Sequence, residues 1–404
     1  MPILKNYHQF DGLQQETGAI HNVLAYGGQP APHTGKPLSE ALLMGISGGI
    51  AVGYFLFEYQ GYLPHVALLT RNTFDPLETL FERLALPREV LQTSKPNIAY
   101  ENLIATLESG HPAVVWADAF SLPYNLLPSD ERMWGTVPIV VYGVEGDTVY
   151  IADRSPQPRT VTTDELMTAR GRVKDDKSRI LVLDAPDMDK LPAAVLKGIW
   201  QCISLFTDAP PKGKRTNFGF AALEHWADML VNTRNKHSWE RYFTPGSRLY
   251  NGIAGDIGQP GVFDWITWWN GSDGAERGMY ADFLDEAALL LGKPALKAVG
   301  EQFRQSAKAW NALAEAVLPD TIPLLKETRE LKQRNRRLIK QGMSTLEERK
   351  AIVARLKALK AAAATEFNLS AGDYTAFRET LRDHILTIAD LEKAAVAALQ
   401  AAVI

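Results

Sequence analysis

Residues 12–59 read GLQQETGAIHNVLAYGGQPAPHTGKPLSEALLMGISGGIAVGYFLFEY. A polar stretch, Gln14 to Thr17, runs into apolar residues at helical spacing, Ala19, Val23 and Leu24. A loop follows, and a second apolar segment opens at Leu38-Ser39-Glu40. The glycines of Gly45–Gly49 permit a close backbone approach, and Tyr54, Phe55, Phe57 and Tyr59 gather aromatic rings just beyond them. This pattern predicts a buried helix, a loop and a second buried helical segment. Composition in this stretch announces no chemistry.

Working outward, residues 62–110 read as helix-like segments with short breaks. Asp75-Pro76-Leu77-Glu78 has the form of a helix start, with Asp75 as N-cap and proline in the first turn. Asn97–Glu108 is amphipathic and Gly110 closes it. The period then changes to two. Pro112–Trp116 reads as a short buried strand ending at Asp118. Pro138–Gly143 and Thr148–Ala152 flank Glu145-Gly146-Asp147 as a hairpin, and Arg179–Leu183 is a further strand. Helices followed by an antiparallel sheet make an α+β domain.

Beyond breaker clusters at Asp184–Asp189 and Asp208–Arg215, the chain reads as helical: Leu191–Phe206, Phe218–Leu230, Met279–Leu291 and Leu296–Leu318. A loop from Gly258 to Gly274 carries Trp265, Trp268 and Trp269, which either cap a pocket or pack in a core. Leu324, Leu331 and Leu338 repeat every seven residues, Gly342 breaks the pattern, and Ser344–Glu347 restarts it as a capping box. A break at Asn368–Asp373 precedes a helix to the end. The expected segmentation is 1–185, a helical domain over 186–319, and a C-terminal helical hairpin over 320–404.

The chain has 404 residues, enough for two cores. An apolar content of 46%, a charged content of 22% and a net charge of −4 are ordinary for a globular protein and give no reason to expect nucleic acid or an anionic membrane. The basic run Lys332, Arg334, Arg336, Arg337 and Lys340 reads as a solvated helix face. With one cysteine, Cys202, no internal disulfide can form, which fits a reducing cytoplasm. The N-terminal residues lack the apolar run of a signal peptide, and no apolar stretch approaches bilayer length.

Several of these pieces resemble one family. Glu16-Thr17-Gly18, Asn22-Val23-Leu24, Leu38–Ala41 and Gly45–Gly49 are similar to the opening of the butirosin biosynthesis protein H family. Asp118 with Leu122-Pro123-Tyr124, the run Gly135–Gly143, and Ala152-Asp153-Arg154 match later elements of the same family. Phe218-Gly219-Phe220 and Met279–Ala287 resemble the helical domain that follows it. The resemblance implies a papain-like, cysteine-peptidase-type domain and acyl or aminoacyl transfer from a carrier-bound thioester. It also implies a Cys–His–Asp site. In this sequence the His-Cys pair falls on Gln14-Gln15, the strand histidine falls on Thr136, and Asp153 stands in the third position.

Glutamine cannot form an acyl intermediate, because that step needs a low-pKa thiolate. The first expectation is therefore a catalytically degenerate relative that binds a small ligand or an acyl carrier partner around Gln14, Gln15, Asp118, Tyr124 and Asp153. The second is an enzyme of altered mechanism, with Gln15 as oxyanion donor and His21 as base. The third is an assembly protein, a homo-oligomer built through the C-terminal hairpin. Asp118 and Asp153 also read as ordinary turn residues after strands. His8, His21, His33 and His65 share no fixed interval, and no HExxH or paired cysteine spacing occurs, so neither metal nor cofactor is expected. Gly45–Gly49 lacks the phosphate-loop lysine and reads as helix packing.

Overall fold

The computed structural model describes residues 2–130 and 132–404. In chain order the first elements are α1 (Gln15–Gly27), α2 (Glu40–Ile46), β1 (Ile50–Phe57), β2 (His65–Arg71), α3 (Pro76–Arg83), β3 (Arg88–Leu91) and α4 (Pro96–Glu108). Then come β4 (Ala113–Asp118), β5 (Thr136–Glu145), β6 (Thr148–Ala152), β7 (Arg159–Thr162), α5 (Thr163–Gly171) and β8 (Ile180–Leu183). The helical region holds α6 (Leu191–Thr207), α7 (Gly219–Val231), α8 (Trp239–Tyr242) and α9 (Ser247–Ala254). It continues through the two-residue strands β9 (Gly255–Asp256) and β10 (Gln259–Pro260), then α10 (Val262–Thr267), α11 (Arg277–Leu291) and α12 (Ala295–Val317). The chain ends with α13 (Pro323–Ile339), α14 (Leu346–Glu366) and α15 (Ala371–Val403). This is an α+β protein with a helical C-terminal region.

Packing divides the chain into two units that are not consecutive blocks. One comprises Met1–Leu43, Leu80–Leu191 and Asn335–Val353; the other comprises Met44–Thr79, Pro192–Arg334 and Ala354–Ile404. The first is built on a six-stranded antiparallel sheet in the order β3-β8-β4-β5-β6-β7. Its central strands are apolar on both faces, with Val114, Val115, Ile139, Val140, Val141 and Ile151 all buried. A strand covered on both sides reads as a near-continuous apolar run, and α1 and α4 lie against β4 and β5. The second unit packs α7, α11, α12 and α15 together with the β1–β2 hairpin. Trp226, Trp310, Phe283 and Phe303 fill its core.

Glycine is required where backbones meet. A Cβ on Gly198 of α6 would lie 2.2 Å from the Gly45 carbonyl oxygen, so the GISGG region packs helix on helix.

Three local expectations are corrected. Residues 62–110 hold two strands, β2 and β3, besides α3 and α4. The apolar run His65–Thr70 alternates in burial because it pairs with β1, a tertiary fact that its composition does not carry. Within the tryptophan loop Val262–Thr267 is helical, with the Asp264 carboxylate accepting from Gly261 N at its start. Asp75 stands before α3 at φ 46°, outside the extended backbone of an ordinary N-cap. At the restart after Gly342, Thr345 Oγ1 donates to the carbonyls of Leu338 and Gly342.

Candidate functional site

The N-terminus of α1 is held by two side chains. Glu40, at the start of α2, accepts from Leu13 N (2.7 Å), Gln14 N (2.8 Å) and Thr17 Oγ1 (3.2 Å). Gln14 is the N-cap: its Oε1 accepts from Glu16 N at 2.7 Å and Thr17 N at 2.8 Å. Those bonds satisfy two of the orphan donors of the first turn. A Cβ on Gly12 would meet the Gly18 carbonyl oxygen at 2.3 Å, and Gly12 N donates to Asn22 Oδ1 at 3.0 Å, so the approach to the helix is closely fitted.

Gln14 is thus committed to capping. Gln15 is not. It is the first residue of α1 and half-buried. Among the described residues, neither its backbone N–H nor its carboxamide has a hydrogen-bond partner. With the rest of the first turn capped, the Gln15 N–H and carboxamide N–H groups are the donors left to meet an oxygen atom there.

Asp118 and Thr136 face each other in register at the end of the β4–β5 pair where residues 119–135 connect the two strands. The Asp118 carboxylate accepts from Ser121 Oγ (2.7 Å), Gly135 N (2.9 Å) and Phe120 N (3.3 Å) of its own loop and has the Arg172 Nε at 3.9 Å. It is buried and shapes the β4–β5 connection.

Tyr124 and Asp153 meet, the phenol donating to Asp153 Oδ2 at 3.0 Å. Arg154 clamps the same carboxylate through Nε (2.6 Å) and Nη2 (3.1 Å). Burial raises the Asp153 carboxyl, but the charges of Arg154 and Arg159 and the Tyr124 bond outweigh it, so the group lies below its ordinary 3.8. Burial, followed by the Asp153 charge, pushes the Tyr124 phenol well above 10.0. Asp153 thus has a full set of partners, all structural.

His21 does not join Gln15. Its Nδ1 bonds the Leu38 carbonyl at 2.8 Å, and six helical residues place it about 240° around and about 9 Å along α1 from Gln15. The one thiol, Cys202, is fully buried in the second unit with its Sγ on the Ile50 carbonyl, and burial raises it to about 12. A thiol at that value carries negligible thiolate near neutrality. Among the described residues, no group of three His, Cys, Asp or Glu side chains could hold a metal ion. Among them, too, no helix is long and apolar enough to cross a membrane.

The residues missed by sequence reasoning are Glu40, Arg159 and Arg349. Glu40 lies within Leu38-Ser39-Glu40, but nothing local says that its carboxylate reaches back to residues 13, 14 and 17. Arg349 donates to the Tyr124 carbonyl at 2.9 Å from 225 positions away, which leaves no local signal.

The arrangement defines a class: an α+β domain with a capped helix N-terminus packed on an antiparallel sheet, accompanied by a helical region. Comparison with known families agrees with it. Residues 14–154 match the model for butirosin biosynthesis protein H, N-terminal, and residues 274–341 match a domain of unknown function (DUF4872). No curated protein matches the chain.

Proposed function

We propose that this protein is a papain-related, acyltransferase-like binder that has lost covalent chemistry. In this reading it holds a carbonyl- or carboxylate-bearing ligand non-covalently at the N-terminus of α1. The observation that carries the reading is Gln15: a neutral amide with unpartnered donors at the helix start where the resemblance places a nucleophile. The match over residues 14–154 supports a papain-like or acyltransferase-related ancestry. Thr136 has no imidazole to activate a thiol, and the only thiol in the chain is buried and raised to about 12. In this reading Gln15 is the residue that meets the ligand, and Gln14, as N-cap, holds the helix start beside it.

The test is binding of an acyl-thioether analogue of an N-acetylcysteamine thioester, which mimics the donor but cannot react. The expected result is saturable binding that weakens about tenfold in Gln15→Ala, the loss of about 1.4 kcal/mol of polar interaction. Equal affinity in the variant, or no binding to the wild type, would overturn the reading.

A further inference from the structure

We propose that the first unit holds a small oxyanion, a phosphoryl or carboxylate group, between Arg159 and Arg349. The inference stands apart from the reading of Gln15, since it concerns other residues. Among the described residues, the cluster of Arg154, Arg159 and Arg349 makes one ion pair, between Arg154 and Asp153. Arg154 occupies that carboxylate with two hydrogen bonds, 2.6 and 3.1 Å long. The other two guanidinium groups donate to neutral acceptors. Arg159 gives Nε to the Asp153 carbonyl (3.2 Å) and Nη2 to the Ile339 carbonyl (3.3 Å). Arg349 gives Nε to Asn335 Oδ1 (3.2 Å) and Nη1 to the Tyr124 carbonyl (2.9 Å).

Both arginines are only 3% exposed, and Arg159 Nη1 is buried with no hydrogen-bond partner among the described residues. Burying a charge is tolerated when it is paired. Here Arg154 takes the one carboxylate, and neither Arg159 nor Arg349 has an ion-pair partner among the described residues. The Tyr124 ring lies 4.9 Å from the Arg159 guanidinium carbon; a cation–π contact softens the charge without neutralising it. Burial, and after it the Arg159 charge, lowers Arg349 to about 10, as expected for a cation facing another cation. Arg154 itself sits at φ 45°, a conformation that L residues rarely adopt and that clusters at ligand sites. A guanidinium fork fits an oxyanion through paired N–H donors. A bound oxyanion would supply the negative charge that this cluster lacks.

The test uses the full chain. Inorganic phosphate and, separately, acetate are titrated into the wild type by calorimetry at constant ionic strength. Arg349→Met and the exposed control Lys212→Gln are run beside it. One saturable equivalent is expected, weakened at least tenfold in Arg349→Met and unchanged in Lys212→Gln. Tighter phosphate binding assigns a phosphoryl group; tighter acetate binding assigns a carboxylate. Absence of saturable binding of either ion to the wild type would overturn the proposal, and that titration decides even if Arg349→Met fails to fold. Equal binding by a folded Arg349→Met would also overturn it.

Discussion

The two units each bury a cluster of charges, and the clusters are built on opposite terms. In the helical unit Arg277 and Glu392 are completely buried and bonded through Nε and Nη2 at 2.6 and 3.1 Å. Glu392 also accepts from Ser306 Oγ and Trp310 Nε1, while Arg277 donates to the carbonyls of Thr70, Ala275 and Ala51. Beside it Glu276 takes Thr70 Oγ1 and Arg71 Nη1. Two cations face two anions, and every Arg277 donor is used. In the sheet unit, among the described residues, Arg154 pairs with Asp153 and the Arg159 charge acts on the same carboxylate, while Arg349 meets the Arg159 charge and makes no ion pair. A closed network specifies a fold, because any partner removed leaves a buried charge. An open one has capacity left over. That difference separates scaffold from candidate site more clearly than burial does.

Breaking the closed network should cost most. Glu392→Ala is expected to lower unfolding free energy by about 3–5 kcal/mol, read from urea midpoints, since it strands Arg277. A loss below about 1 kcal/mol would mean that the network is not the scaffold described. Glu40→Ala should cost less, about 1–3 kcal/mol, by freeing two backbone donors before α1.

The open cluster sharpens the contrast through pH. Asp153 has its folded-state pKa below the ordinary 3.8, so it contributes stability that is present above that value. The contribution is lost as pH falls through the folded pKa. Urea midpoints taken from about pH 6 to about pH 3 should decline, and Asp153→Asn should flatten that decline. An identical acid limb in the variant would show that Asp153 is not held by its arginines. Tyr124→Phe should have the smallest effect, about 0.5–1.5 kcal/mol, from one hydrogen bond.

Much of the sheet unit was legible in sequence. Its central strands are apolar throughout, so strict alternation is absent, yet the runs at Ala113–Trp116, Ile139–Tyr142 and Ile180–Leu183 stand out by length and flanking turns. Gly146 at φ 60° marks the β5–β6 turn. By contrast, β2 and β3 were hidden because their pairing partners decide them: Arg88–Leu91 is largely exposed and lies at the sheet edge beside β8. The segment Asn335–Val353 belongs by packing to the sheet unit although helical periodicity joins it to its neighbours. Near α1, the helix start at Gln15 was readable from the apolar spacing that follows it. The commitment of Gln14 to capping and of Asp118 to its loop was not, because both depend on backbone N–H groups whose directions only the fold sets. Arg159 and Arg349 were invisible as a pair, since Tyr124 is the residue that both of them contact.

Non-covalent binding at the α1 N-terminus can be checked by intact-mass measurement. The wild type is incubated with an N-acetylcysteamine acyl thioester, quenched in acid and weighed. An unmodified mass is expected, with no thiol release above the rate of the thioester in buffer. An acyl adduct on the wild-type chain, at Cys202 or any other residue, with release of the thiol, would contradict it.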